Sequence, residues 1–392
     1  MSIDTVRIGD VCEVLNGFAF KSENYAESGI RVIRIANVQK GYIEDSTPVF
    51  YPADSVGLDK YMLKNGDLLV SLTGNVGRVA ILAKEFLPAA LNQRVACLRM
   101  KSDRVSKGYL YHILNSDYFE QKCIQASKGV AQKNMSTEWL KDYEIPVYSQ
   151  EKQAEIVSIF DRLQDIVANR KQELQKLDDL IKARFVEMFG DMLINPKGLA
   201  EQRLDTLADI VSGITKGRKV KTNELYKVPY MAVSNVKDGY IDWITVKTIM
   251  ATAAEIDQYR LMPGDVLMTE GGDPDKLGRG AIIHEPPKDC IHQNHIFRVR
   301  LKQDILLSTY MAQYLQHQKA KRYFLGCAKQ TTGIASINMR QLSALPVLVP
   351  SMKEQEEYAA FVAQVDKSKA VIQKSLDETQ LLFDSLMQKY FG

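Results

Sequence analysis

Asn37-Val38-Gln39-Lys40-Gly41-Tyr42-Ile43 returns 198 residues later as Asn235-Val236-Lys237-Asp238-Gly239-Tyr240-Ile241. At the same offset Tyr61, Leu63, Gly66 and Asp67 fall on Tyr259, Leu261, Gly264 and Asp265. Gly77-Arg78 matches Gly278-Arg279 at an offset of 201, and Phe189-Gly190 matches Phe391-Gly392 at 202. So small a drift means short loop insertions within one duplicated fold. Residues 1–190 and 200–392 therefore read as two copies of a unit. A chain that duplicates a domain of this size usually meets a partner or substrate that is itself two-part.

The 392 residues allow two or three domains. A net charge of +3 permits a nucleic-acid partner without requiring one. No run approaches about 18 consecutive apolar residues, so no membrane span is expected. Met1-Ser2-Ile3-Asp4 does not read as a signal peptide. Cys12, Cys97, Cys123, Cys290 and Cys327 are odd in number, scattered and without a C-x-x-C. They read as reduced thiols of a cytoplasmic protein.

Each copy opens with apolar residues spaced as on a short amphipathic helix, Ile8, Val11 and Val14 before Gly17, then Leu204, Leu207 and Ile210 before Gly213. Strands are expected at 31–35, 67–72 and 95–100, and at 228–233, 265–269 and 296–301. Helical stretches are expected at 109–127 and 308–326, each followed by a polar loop and a short strand ending near Val147 or Val349. A long helix closes each copy. Ile156, Phe160, Leu163, Val167, Arg170, Leu174, Leu177, Ile181, Arg184 and Met188 alternate 4-3, and eight of the ten are apolar. A shift of 202 gives Tyr358, Val362, Val365, Lys369, Ile372, Leu376, Thr379, Phe383, Leu386 and Tyr390, again with eight apolar. A 3.5-residue period over five heptads is a coiled-coil seam; a long amphipathic helix lying on a domain is the competing reading. Asp191–Ala200, centred on Asn195-Pro196-Lys197-Gly198, reads as a linker. If the seams pair fully, the helices run antiparallel and form a coil about 60 Å long, with the copies related by a pseudo-twofold axis.

Catalytic constellations are missing from the sequence. It has no G-x-x-x-x-G-K-[ST], no G-x-G-x-x-G after a strand, and no Ser/His/Asp grouping that recurs in both copies. No cofactor is implied. Cys290-Ile291-His292-Gln293-Asn294-His295 could suggest zinc, but a closed site wants four ligands and the matching segment 89–94 has neither Cys nor His. The loops carry recognition chemistry instead. In the first copy the candidate DNA-binding residues are Phe20, Lys21, Thr73, Asn75, Arg78, Asn92, Gln93, Arg94, Lys128, Gln132 and Lys133. In the second they are Lys216, Arg218, Lys219, Lys221, Arg279, Gln293, Asn294, His295, Lys329, Gln330 and Thr331. Arg can bind guanine bidentately and Asn or Gln adenine, while Lys and backbone N–H at glycine-rich turns suit phosphates. The loops differ between copies while strands and seams match, as expected if each copy reads a different sequence.

Gly17-Phe18-Ala19-Phe20-Lys21-Ser22, Val32–Val38, Gly66–Ser71, Gly77-Arg78, Leu91–Arg94, Ile145-Pro146-Val147 and the helix-opening Glu151-Lys152-Gln153, repeated as Lys353-Glu354-Gln355, carry a family resemblance. In order, spacing and duplication the chain resembles the specificity (S) subunit of type I restriction-modification systems over its whole length. The resemblance implies an α+β fold with two similar α/β target recognition domains, 1–149 and 201–351. Two long antiparallel helices, 150–190 and 352–392, would form a coiled coil between them, joined by the linker 191–200, in a pseudo-twofold repeat. It implies a non-catalytic subunit that binds a bipartite, asymmetric site on double-stranded DNA. Its implied partners are two adenine-N6 methyltransferase (M) subunits and, through that core, restriction (R) subunits; no membrane is implied. The second copy departs at Ser212-Gly213-Ile214-Thr215-Lys216, which lacks the aromatic pair Phe18 and Phe20. Competing readings are a nuclease subunit, a coiled-coil adaptor between proteins, and a specificity subunit beside a fused methyltransferase–nuclease.

Overall fold

The computed structural model describes residues 4–127, 134–220, 224–272, 277–331 and 334–392. It divides into two compact units, residues 1–171 with 374–392 and residues 172–373. The first unit begins β1 (Asp4–Arg7), α1 (Ile8–Val11), β2 (Cys12–Asn16), β3 (Ile30–Ile33) and β4 (Phe50–Tyr51). It continues β5 (Leu68–Ser71), β6 (Val79–Ile81), β7 (Ala89–Leu91) and β8 (Val95–Met100). Then come α2 (Lys107–Leu114), α3 (Asp117–Ala126), α4 (Thr137–Asp142), β9 (Glu144–Val147) and the long α5 (Gln150–Phe189), whose residues from 172 on belong to the second unit. The second unit repeats this plan: β10 (Ala200–Arg203), α6 (Leu204–Leu207), β11 (Ala208–Ser212), β12 (Tyr226–Met231), β13 (Lys247–Ala251), α7 (Ala253–Tyr259) and β14 (Val266–Thr269). It adds β15 (Gly271–Gly272), β16 (Gly280–Ile282), β17 (Ile291–His292), β18 (Ile296–Leu301), α8 (Ser308–Gln316) and α9 (Gln318–Cys327). It ends β19 (Lys329–Thr331), β20 (Ile334–Ser336), α10 (Met339–Ser343), β21 (Pro346–Val349) and the long α11 (Met352–Phe391), whose residues from 374 on belong to the first unit.

Sheet order repeats as well. Antiparallel β2-β8-β5-β6 corresponds to β11-β18-β14-β16, and the mixed β4-β3-β7 to β13-β12-β17. The β1–β9 pair corresponds to β10–β21, and β15-β20-β19 is a further sheet of the second unit. The expected opening helix is a single turn in each unit. Ile8 and Val11 lie on α1, but Val14 lies on β2, which pairs with β8 from Cys12↔Met100 to Asn16↔Ala96. Leu204 and Leu207 lie on α6, and Ile210 on β11 beside β18. The spacing suits a helix, but pairing of Cys12–Asn16 with β8 and of Ala208–Ser212 with β18 overrides it. The expected continuous helices at 109–127 and 308–326 are each two, broken at Asn115–Ser116 and at His317. Ser116 caps α3 by accepting from Phe119 N–H at 3.1 Å.

The repeated turn has a clear cause. Asn37 is buried, accepts from Arg34 N–H at 2.9 Å and donates to the Glu44 carbonyl at 2.7 Å. Asn235 accepts from Ala232 N–H and donates to the Asp242 carbonyl, both at 2.9 Å. The turn closes at Gly41 (φ 91°) and Gly239 (φ 81°), a conformation that suits glycine. Asp67 and Arg99 form a bidentate pair at 2.8 and 3.0 Å, matched by Asp265 and Arg300 at 2.7 and 2.8 Å. Both Asp side chains are nearly inaccessible to solvent, and bidentate geometry is what such a pair requires.

Gln153 and Gln355 fasten the long helices. Gln153, fully buried, accepts from Ser106 N–H at 2.8 Å and donates to the carbonyls of Arg104 and Tyr148 at 3.0 and 2.9 Å. Gln355 accepts from Leu307 N–H at 2.8 Å and donates to Ile305 and Pro350 carbonyls at 3.0 Å each. Within each unit the helix segments run antiparallel. In the first, Lys152 lies over Tyr390 and Phe160 meets Phe383 at 5.2 Å. In the second, Asp178 pairs with Lys369 at 2.6 Å and Phe185 meets Tyr358 at 5.5 Å.

The buried face leaves the expected 4-3 register at the helix ends. Phe185 and Phe189 are buried in place of Arg184 and Met188, and Met387 and Phe391 in place of Leu386 and Tyr390. A straight helix drifts about 20° per heptad against a 3.5-residue repeat, which is about one residue step over five heptads. Replacing Gln153 with Ala strands the Ser106 N–H and the Tyr148 carbonyl, whereas the Arg104 carbonyl keeps Gln150 Nε2 at 3.1 Å. Urea unfolding of Gln153→Ala should show a loss of about 1–3 kcal/mol, while the exposed Gln121→Ala stays within about 0.5 kcal/mol of wild type.

Candidate nucleic-acid interface

Backbone hydrogen bonds draw the expected loops together within each unit. In the first, Phe18 N–H donates to the Leu91 carbonyl at 2.8 Å and Gln93 N–H to the Phe18 carbonyl at 2.9 Å. Leu72 N–H donates to the Arg94 carbonyl at 2.9 Å, and Met135 N–H to the Leu72 carbonyl at 2.8 Å. The second unit repeats all four. Ile214 N–H donates to His292 at 2.9 Å, Asn294 N–H to Ile214 at 3.1 Å, Glu270 N–H to His295 at 3.0 Å and Ile337 N–H to Glu270 at 2.9 Å. Gly17 and Gly213 permit this approach, since a Cβ there would stand 2.2 Å from the Asn92 backbone and 2.0 Å from the His292 carbonyl oxygen. The triplets Asn92-Gln93-Arg94 and Gln293-Asn294-His295 thus sit on the same frame between the same neighbouring segments.

Side chains on that frame differ. Gln93 and Arg94 are exposed, and the half-buried Asn92 accepts from Arg94 N–H at 3.2 Å. In the second unit His295 is exposed with Nδ1 2.6 Å from a Glu270 carboxylate oxygen, and Gln293 accepts from Val233 N–H at 3.4 Å. Thr73 is buried and bridges to Asn134. Asn75 is exposed with its amide 3.3 Å from the Arg78 guanidinium, and Arg78 donates to Gln39 Oε1. Lys21 is exposed beside Glu23. Phe20 is half-buried against Phe18 and Tyr51, ring centroids 5.0 and 4.9 Å away, and serves as a platform for the loop.

Lys216 and Lys219 are exposed, but Arg218 is held by both carboxylate oxygens of Glu255. That guanidinium holds the Glu255 carboxyl at about 2, far below its ordinary value. Arg279 is half-buried and Lys329 exposed at the start of β19, where Gln330 and Thr331 follow in the strand. Lys128, Gln132, Lys133 and Lys221 lie outside the described residues. Reading the loops residue by residue does not single out Glu270 or Gln39, which hold His295 and Arg78; only their partners reveal them.

Cys290, His292 and His295 take separate partners. Cys290 is buried and burial pushes its thiol up to about 12. His292, fully buried, places Nδ1 3.1 Å from the Tyr259 carbonyl and Nε2 3.3 Å from the Val211 carbonyl. Among the described residues no group of three His, Cys, Asp or Glu side chains could hold a metal ion, and no helix is long and apolar enough to cross a membrane.

A family model for the type I restriction modification DNA specificity domain matches residues 2–178 and again 196–380. The chain belongs to that family. It is a DNA specificity subunit of the type I restriction-modification kind, which carries out no catalysis itself. The EcoKI specificity subunit of Escherichia coli K12 is 21% identical over 97% of this chain and 86% of its own length. The MjaVIII specificity subunit of Methanocaldococcus jannaschii is 31% identical over 183 residues, 44% of this chain and 43% of its own. The S subunit of M. genitalium superposes with a TM-score of 0.57 at 14% identity, covering all of this chain and 96% of that one. A chain from a structure of type I system assembly and conformational transition gives 0.58 at 16% identity, covering 99% and 97%.

Burial is the main cause that depresses His292, to about 4 from 6.5, although the two carbonyls oppose it. The unfolded chain therefore takes up this proton first. The stabilising effect of a neutral His292 is complete above pH 6.5 and is lost as pH falls towards about 4. His292→Leu, which installs the residue found at the equivalent Leu91, should reduce the stability difference between pH 7 and pH 4.5 by up to about 3 kcal/mol, measured by urea unfolding at both pH values.

Proposed function

We propose that residues 1–149 and 201–351 act as two reading heads, each contacting one half of a bipartite, non-palindromic DNA site through its triplet and adjoining loops. One observation carries this reading: four backbone hydrogen bonds recur on an identical plan in both units, while the side chains on that frame change from Asn-Gln-Arg to Gln-Asn-His. Duplicated scaffolding under divergent polar side chains suits two independent sequence readers. The exposed candidates Lys21, Asn75, Lys216, Lys219 and Lys329 add further polar contacts to the DNA.

Helices 150–190 and 352–392, joined by the linker 191–200, hold the heads and set the spacer between half-sites. A duplicated subunit presents each docking surface twice, which supports assembly with two methyltransferase subunits and, through them, with restriction subunits. The complex acts in the cytoplasm.

Methylome sequencing of cells that co-express this chain and its modification partner tests the proposal. A split motif should appear that depends on the chain. Exchanging residues 206–349 for the matching segment of a relative should change one half-site alone. Arg94→Ala should weaken or relax only the other half, by about 1–3 kcal/mol if Arg94 reads a base. Loss of both half-sites in the exchange, or methylation with no dependence on the chain, would overturn the reading.

A further inference from the structure

Arg78 and Arg279 follow equivalent glycines, Gly77 (φ 82°) and Gly278 (φ 73°), but meet different surroundings. In the first unit Arg78 donates to Gln39 and lies beside the Asn75 amide. In the second, Lys237 holds the place of Gln39. Its N–H bonds the Tyr240 carbonyl at 3.0 Å just as Gln39 N–H bonds the Tyr42 carbonyl at 3.0 Å. A lysine offers no acceptor, so Arg279 has lost the partner that its counterpart has. Its Nε is buried without a partner, and its guanidinium makes no hydrogen bond or ion pair among the described residues.

Arg279 lines a cleft of about 300 Å³ with Lys321, Asp238, Gln316 and the backbone of Gly278 and Gly280. Two cations face one carboxylate there, and Lys237 adjoins Asp238 in the turn. An unpaired guanidinium, an ammonium and glycine-rich backbone suit a phosphate oxyanion. The cleft is close to the reading frame: Thr269 N–H bonds the Arg279 carbonyl at 3.2 Å, and the next residue's N–H bonds His295. Arg279 and His295 thus flank opposite sides of β14, about 10 Å apart at about 4.8 Å per strand. The major groove is about 12 Å wide, so a cation that far beside a base-reading triplet falls over the bordering backbone.

We propose that this cleft is a DNA phosphate anchor peculiar to the second repeat, with Arg279 and Lys321 gripping the phosphate while Arg78 positions its own loop through Gln39 and Asn75. The proposal rests on the DNA-reading function above. Binding of the chain, in complex with its modification partner, is measured on a duplex carrying its methylated motif and on a scrambled duplex, across a potassium chloride series. Arg279→Ala should weaken both duplexes by the same factor and reduce the slope of log affinity against log salt by about 1. Lys237→Gln, which recreates the pairing of the first repeat, should reduce the slope at least as much without disturbing the fold. An unchanged slope in Arg279→Ala, or an equal loss in Arg78→Ala, would overturn the anchor. Impaired recovery of the complex without DNA, with the slope intact, would assign the cleft to a partner carboxylate and overturn it too. If wild type shows no preference for its motif, the reading function itself fails and the anchor with it.

Discussion

Phe391 stacks on Phe160 and meets Tyr109 edge-on in the first unit, while Phe189 meets Tyr310 and Tyr358 in the second. Each aromatic belongs to the long helix that began in the other repeat. Neither repeat therefore closes its hydrophobic core with its own residues. The core of the first unit includes Met387 and Phe391, and that of the second includes Phe185, Phe189 and Met192. Losing a buried Phe of this kind typically costs about 3–5 kcal/mol, a large part of a domain's stability. The exchange makes each helix a structural member of both units. Gln153 and Gln355 fasten the start of each helix, and Gly190 (φ 79°) ends the first after Phe189.

The same duplication explains why the reading frames agree while their chemistry differs. Asn37 and Asn235 close equivalent turns, and Asp67–Arg99 and Asp265–Arg300 tie the base of the central strand to its neighbour. The side chains of Asn37, Asn235, Asp67 and Asp265 are buried and hydrogen-bonded, so removing a partner leaves a desolvated polar group. The loops above them carry no such obligation. They can exchange Arg94 for His295 or Gln39 for Lys237 and keep the backbone bonds that hold the loop in place. Function diverges where hydrogen bonding is done by the backbone and the side chains remain available.

Several candidate side chains have partners within the protein. Phe20 belongs to an aromatic platform, Thr73 is buried, and Arg218 is tied to Glu255. Their residue types suit DNA as well as they suit a protein partner, so composition cannot separate the two roles. Their partners lie 31 residues away for Phe20 and 37 for Arg218, in segments with no sequence signature of contact.

The sequence by itself determined the duplication, the two long helices and the strands β3, β5, β8, β9, β12, β14, β18 and β21. Each of these depends on local periodicity or on a repeat, which a linear string displays directly. The tertiary structure decided what periodicity leaves open. It ended the opening helices after one turn, because pairing of β2 with β8 and of β11 with β18 captures the residues that follow. It moved the buried face of each long helix by one residue at its end, because a helix of 3.6 residues per turn drifts against a seven-residue pattern. It also separated Arg78 from Arg279. The two read alike as Gly-Arg, but Arg78 donates to Gln39, whereas Lys237 holds the equivalent turn position in the second unit.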